Sequence, residues 1–239
     1  MVLYKMNELE DDASHIHFYS DDIPELITKY LNKVEWQTVL DVGCGDGRLL
    51  FALDRGGFLA GKNVYAMDLS PARVERVKLL GLDVECFVEN ACDMSSIGDG
   101  LVDVLVTTQV IEHVPDDARM IQEISRVLRE GGIFYLNTVF KKWYGWYYHR
   151  HNGKWVIEST HVREYKRDSQ LLEILEANKL EVLESRKILA WYSILDFILH
   201  HVGATGWAYN NRLLTLLRKI KVPIPGYYNW EIVGVRNLS

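Results

Sequence analysis

Between residues 39 and 139, short apolar runs rich in β-branched residues alternate with stretches whose apolar positions recur at helical spacing. The runs Val39–Val42, Asn63–Met67, Asp83–Val88, Val102–Thr108 and Ile133–Val139 predict five strands. Arg48–Arg55 predicts a helix closed by Gly56-Gly57, and Ala72–Leu80 another, opened by Pro71 and ended by Gly81. Asp116–Arg129, with Ile121, Ile124 and Leu128 on one face, predicts a third, stopped by Gly131-Gly132. The fourth strand is almost continuously apolar, as a strand covered on both faces should be. This alternation predicts an α/β, Rossmann-like parallel sheet with helices on both faces. Ligands in such sheets bind beyond the carboxyl ends of the strands, near the switch in strand order.

The second half is less regular. Residues 141–155 are dense in aromatic side chains mixed with Lys141, Lys142, His149, Arg150 and His151. Asp168–Asn178 predicts a helix with Leu171, Leu172 and Leu175 turned inward, Leu180–Leu189 a strand, and Asn229–Arg236 the last strand. The connection between those two strands is far longer than a hairpin loop. It holds an apolar piece (Trp191–His200), a Gly-Ala-Thr-Gly break at 203–206 and a basic amphipathic piece, Arg212–Lys221. The whole chain, 1–239, reads as a single domain with elaborations at 141–165 and 190–228.

With 48% hydrophobic residues the chain can bury one sizeable core, and 27 basic against 33 acidic residues give a net charge of −6. That balance supplies no global cationic field and argues against nucleic acid as a partner. Three cysteines with no CxxC pair fit a reducing compartment. The polar N-terminus has no signal-like apolar region, and no run approaches 18 uncharged apolar residues. The expectation is a soluble cytoplasmic protein.

The chemistry starts at Leu40-Asp-Val-Gly-Cys-Gly-Asp-Gly47, at the end of the first strand. Glycines at 43, 45 and 47 let backbone N–H groups approach a ligand where a Cβ would collide. The pattern is G-x-G-x-G, with Arg48 where a dinucleotide binder has its third glycine. A dinucleotide needs a pyrophosphate seat at a helix N-terminus; S-adenosylmethionine carries no phosphate, and Asp41 would face its ammonium group. Asp68, ending the second strand, can accept from both ribose hydroxyls. Its other role would be to cap the helix at Ser70-Pro71, for which Ser70 is better placed. Asp93, after the third strand, suits an adenine amine, with Met94 packing on the ring. An aspartate in a loop is by itself more often a plain turn former.

Asp41 to Gly47, Asp68, Asp93, the stretch Thr107-Thr-Gln-Val-Ile-Glu-His-Val-Pro115 and Leu128-Arg-Glu-Gly-Gly132 resemble the successive motifs of the class I S-adenosylmethionine-dependent methyltransferases. The similarity is to the small-molecule "type 11" subgroup that includes ubiquinone-pathway enzymes, and it covers roughly residues 30 to 140. It implies a seven-stranded sheet whose last strand runs antiparallel. It also implies a cofactor site of Asp41, Gly43, Cys44, Gly45, Asp68, Leu69, Asp93, Met94 and Gln109, with Gln109 lining the methionine end. Glu112 and His113 occupy a position common in the subgroup, where the pair shapes the site; His113 is also a candidate catalytic group. Thr160-His-Val-Arg-Glu-Tyr165 resembles a stretch that closes the substrate side, and His161 is the preferred proton acceptor if the methylated atom is a hydroxyl. An anchoring role for that histidine is the alternative. His149 and His151 are too few ligands for a metal site, so no metal is assigned.

Methyl transfer from a sulfonium is an in-line displacement whose leaving group departs neutral, so catalysis is mostly alignment and exclusion of water. The acceptor pocket is expected from 141–165 and 190–228, whose aromatic content suits a flat or hydrophobic small molecule. Residues 212–221 suggest either a peripheral membrane contact or a lid helix with its basic residues solvated. Methylation of protein or RNA is the runner-up; the net charge counts against RNA, and no Asn-Pro-Pro-Tyr-type motif for an amide or base nitrogen is present. A nucleotide-cofactor oxidoreductase or a non-catalytic binding module forms the third class. The methyl acceptor and the oligomeric state are not written in the sequence.

Overall fold

The computed structural model describes residues 22–147, 150–151, 154–155, 157–158, 160–195, 198, 217 and 220–237. The chain runs through α1 (Glu25–Leu31), β1 (Thr38–Val42), α2 (Arg48–Arg55), β2 (Asn63–Asp68), α3 (Pro71–Lys78), β3 (Glu85–Val88), β4 (Val102–Thr108), α4 (Asp117–Val127) and β5 (Leu128–Lys141). It continues through a two-residue hairpin of β6 (Arg150–His151) and β7 (Lys154–Trp155), then α5 (Ser169–Ala177), β8 (Leu180–Ser193) and β9 (Lys221–Arg236).

Seven strands form one sheet in the order β3-β2-β1-β4-β5-β9-β8. The pairings among β1 to β5 are parallel, and β9 lies antiparallel between β5 and β8. The order reverses between β1 and β4, which opens the crevice where such sheets bind ligands. Successive residues of the inner strands point to opposite faces. Leu40, Leu105, Phe134 and Leu136 pack under Met120, Ile121 and Ile124 of α4 and Leu171 and Leu175 of α5. Val39, Val104, Val106 and Tyr135 pack under Leu26, Ile27 and Leu31 of α1 and Leu50 and Leu53 of α2. Because both faces are covered, the strands need apolar residues at nearly every position.

Several boundaries differ from expectation. The helix expected to reach Arg129 ends at Val127, because Leu128 is extended (φ −65°, ψ 137°) and pairs with Val102 as the first residue of β5. Gly131 and Gly132 therefore sit inside β5, at an irregularity in its pairing with β4, rather than stopping the helix. The last strand begins at Lys221, not Asn229, and β8 runs on to Ser193, with Trp191, Tyr192 and Ser193 opposite Pro223, Val222 and Lys221. The hairpin thus absorbs both ends of the expected insertion, and Lys221 belongs to a strand rather than to an amphipathic helix. Residues 199–216 and 218–219, which carry most of the basic amphipathic piece, lie outside the described residues. Among the described residues no helix is long and apolar enough to cross a membrane.

Candidate active site

The turn after β1 is held from beneath by β2. The N–H groups of Gly43 and Cys44 both donate to the Met67 carbonyl, at 2.8 and 2.9 Å. Gly43, Gly45 and Gly47 all have left-handed backbone, with φ of 70°, 55° and 78°. A Cβ on Gly43 would lie 2.3 Å from Val110 Cγ2, whereas at Gly45 the nearest atom, Arg73 Nη1, is 4.0 Å away. Gly43 is thus fixed by packing, and Gly45 keeps space clear above the turn. Asp46 accepts from Arg76 Nη1 at 2.6 Å, tying the turn to α3.

Two carboxylates converge on this turn. Asp68 is buried; one oxygen accepts from the Gly45 N–H at 3.0 Å and the other from the Ser70 N–H at 2.9 Å. It braces the turn and leaves each oxygen a second lone pair directed elsewhere. Ser70 occupies the N-cap position of α3, as expected, but makes no side-chain capping bond. Asp41 is 1% exposed and its Oδ1 has no hydrogen-bond partner. Burial, and then the neighbouring charge of Asp68, push its carboxyl up to about 7. The same burial and the same carboxylates raise the Cys44 thiol far above its ordinary range, so Cys44 serves the turn through its backbone.

Flanking the turn, Leu69 is 54% exposed and offers an apolar wall beside Asp68. Asp93 is exposed in a tight bend, its N–H donating to the Asn90 carbonyl at 2.8 Å. Met94 corrects the sequence reading. Its side chain is fully buried in the core and its N–H donates to Glu123 at 2.9 Å, so it presents no face to an adenine ring. Of Leu69 and Met94, the two apolar side chains expected in the cofactor site, Leu69 is the exposed one. Gln109 follows β4 with left-handed backbone (φ 56°); its N–H donates to the Asn137 carbonyl at 2.9 Å and its side-chain amide to the Asn137 side chain. A non-glycine residue held in this region is strained, a feature that clusters at functional sites.

Beyond Gln109 the chain enters a polar cluster. Glu112 is fully buried; Oε2 accepts from Thr138 Oγ1 at 2.9 Å, Oε1 has no partner, and burial raises its carboxyl to about 7. Its backbone carbonyl accepts from the N–H groups of Val162 and Arg163, which draws the 160–165 segment onto the β4 loop. The His113 and His161 rings meet edge to face, with centroids 4.8 Å apart. Desolvation lowers the His113 imidazole.

Sequence reasoning missed Arg163 as a site residue, although it lies within the Thr160–Tyr165 motif. Its Nη1 donates to the carbonyls of Ile111 and Val114, both at 2.6 Å, its Nη2 to that of Pro115 at 2.9 Å, and its Nε stands 3.3 Å from Asp117. A planar five-donor fork suits this task as no other side chain does. Further out, Glu164 pairs with Lys141 at 3.1 Å and lies 3.3 Å from the Tyr227 hydroxyl. Tyr227 packs with Tyr147, Ile224 and Tyr192, beside an apolar cavity of about 240 Å³ lined by Trp146, Tyr147, Tyr192, Ile194, Val222 and Pro223. His149 lies outside the described residues, as do the flanking residues 152–153.

Residues 40–136 match a family model described as a methyltransferase domain. A ubiquinone biosynthesis O-methyltransferase of Xanthomonas oryzae pv. oryzae is 35% identical over 105 residues, 42% of this chain and 42% of that protein. A protein of the same name from Idiomarina loihiensis is 32% identical over 151 residues, 60% of this chain and 61% of that protein. The chain therefore spans less than two thirds of the length of these curated relatives. Among solved structures, the [4+2]-cyclase SpnF is similar with a TM-score of 0.62 at 19% identity, over 98% of this chain and 92% of that one. At that identity the fold is what the two share.

Proposed function

We propose that this chain, whose residues 40–136 match a family model described as a methyltransferase domain, transfers the methyl group of S-adenosylmethionine to a hydroxyl of a small-molecule acceptor by in-line displacement. The observation that carries this reading is the pair Asp41 and Asp68 at the Gly43–Gly47 turn. Two buried carboxylates beside one turn, one of them with an oxygen that has no hydrogen-bond partner, suit a ligand bearing positive charge and repel a pyrophosphate. S-adenosylmethionine has an ammonium for Asp41, ribose hydroxyls for Asp68 and an adenine amine for Asp93, with Leu69 against the ring. Gln109 borders the methionine end.

Because the sulfide leaves as a neutral thioether, the chain's task is to align the acceptor and exclude water. His161 and His113 are the residues we assign to the acceptor's hydroxyl, which must lose a proton to complete the reaction. An apolar or aromatic acceptor is supported by the cavity beside Tyr192 and Trp146. Free Cys44, Cys86 and Cys92 support a reducing setting, the cytoplasm.

Isothermal calorimetry with S-adenosylhomocysteine tests the reading. Binding by the parent, weakened at least about tenfold in Asp68→Ala by loss of a charged hydrogen-bond partner, is expected. Binding of NAD with no response to S-adenosylhomocysteine overturns it.

A further inference from the structure

We infer that Glu164 is the positioning residue of His161: its carboxylate holds the ring proton on Nδ1 and leaves Nε2 as the atom that takes the proton of the acceptor's hydroxyl. The inference rests on the methyltransferase reading for the hydroxyl, and on geometry for the pair. His161 stands between two carboxylates of its own segment. Nδ1 lies 3.8 Å from Glu164 Oε1, and Nε2 lies 3.7 Å from Glu158 Oε2. The side chain is 2% exposed, and both ring nitrogens are buried without a hydrogen-bond partner. A small tilt of the ring closes either gap. Hydrogen bonds at catalytic sites are often loose before substrate binds and tighten with it.

The two carboxylates are not equal. The Glu158 side chain is 57% exposed and screened by water, whereas that of Glu164 is 9% exposed. A charge acts more strongly through the interior than at the surface. Glu164 also stays an anion there, because the groups around it donate. Oε1 accepts from the Ile157 N–H at 3.2 Å, Oε2 pairs with Lys141 Nζ at 3.1 Å, and the Tyr227 hydroxyl lies 3.3 Å from each. Burial pushes its carboxyl up, but His161, Ile157 and Lys141 together hold it below the usual carboxylate range. The partner of one imidazole nitrogen decides which tautomer forms, so the buried anion draws the proton to Nδ1. Nε2 keeps its lone pair, facing Glu158, an exposed side chain that can swing aside for the acceptor. Among the described residues, Glu112 and His113 of the loop after β4 are the other titratable groups that act on this ring. His113 packs against it edge to face, and burial lowers the His113 imidazole, so no second cation competes for the carboxylates.

In the reaction the hydroxyl proton passes to Nε2 as the oxygen lone pair forms the new O–C bond. The C–S bond breaks and its electron pair stays on sulfur, so the sulfonium becomes a neutral thioether. The imidazolium lies between two carboxylates, and the exposed one, Glu158, passes the proton to water.

The test reads the tautomer by long-range ¹H–¹⁵N correlation on the full ¹⁵N-labelled chain at about pH 9, where an imidazole is neutral. His161→Gln identifies the signals of this ring. The parent should carry its proton on Nδ1, a measurement that needs no variant to fold. Glu164→Gln should move the proton to Nε2. The amide's oxygen then faces the Lys141 ammonium and its NH₂ faces Nδ1, which must accept. Glu158→Gln should leave the proton on Nδ1. A merely structural Glu164 would change stability and leave the tautomer alone. A parent ring protonated on Nε2, or a tautomer that ignores Glu164→Gln or follows Glu158→Gln, overturns the assignment. Calorimetry with S-adenosylhomocysteine separates the two readings. A chain that does not bind it, but whose tautomer answers to Glu164, removes the methyltransferase reading and leaves the pair standing. Binding by a chain whose tautomer ignores Glu164 does the reverse.

Discussion

Gly43 and Val110 are in such close contact that a single methyl group on Gly43 would overlap the valine, at 2.3 Å from its Cγ2. The turn after β1 is thereby locked to the loop after β4. Gly43→Ala combines this clash with a left-handed backbone and should cost about 2–4 kcal/mol in urea unfolding. Gly45→Ala meets no neighbour nearer than 4.0 Å and should cost only about 1–2 kcal/mol, yet abolish S-adenosylhomocysteine binding, because its methyl group fills the space above the turn. A Gly45→Ala chain that binds like the parent contradicts that placement.

Asp41 makes stability depend on pH. Its carboxyl titrates at about 7 in the fold against 3.8 in an unfolded chain. Between those values the folded state holds a proton that the unfolded state has lost, so the cofactor-free protein loses stability as pH rises from about 4 to about 7. Asp41→Asn removes this slope. Its melting temperature relative to the parent should therefore be higher at pH 8 than at pH 5, and an unchanged gap would refute the assignment. If the cofactor's ammonium pairs with Asp41, binding at neutral pH releases a proton, measurable by calorimetry in two buffers of different ionisation enthalpy.

Arg163 satisfies three carbonyls of the 111–115 loop. Arg163→Ala should destabilise the fold by about 2–4 kcal/mol, since it strands several acceptors at once. Arg163→Lys should recover less than half of this, because an ammonium cannot reproduce the fork. Full rescue by lysine in thermal melts would show that charge alone mattered.

The cavity beside Tyr192 should reveal itself in kinetics. With an acceptor carrying an apolar tail, Tyr192→Ala should raise KM roughly tenfold and leave kcat near its parent value, the pattern of lost uniform binding. A fall in kcat with constant KM would move the tail elsewhere.

The sheet was legible because parallel strands covered on both faces must be apolar almost throughout, and Val102–Thr108 states this in its own composition. Asp41, Gly43 and Asp68 were legible because left-handed turns and strand-end carboxylates are local requirements. Met94 misled, since whether a side chain beside Asp93 faces ligand or core is decided by Glu123 and the helix packed over it. The start of β9 at Lys221 is not legible in the sequence, since Pro223 and Pro225 have no N–H to give a ladder; they are tolerated in the outer part of the hairpin, where the Pro225 carbonyl still accepts from Trp146. The Glu112–His161 cluster was invisible as a unit. Its members lie in two loops that meet only because Val162 and Arg163 donate to the Glu112 carbonyl.

The position of β9 has a consequence for how the protein is made. Residues 221–236 are the last of the sheet to leave the ribosome, yet they fill an interior slot between β5 and β8. Until they arrive, β5 and β8 each present an unpaired edge, and Trp230 is missing from the core it shares with Phe140 and Tyr165. Synthesis from the N-terminus therefore cannot deliver this fold piecemeal. The nascent chain must wait, exposed to association with its neighbours, until β9 is free to insert.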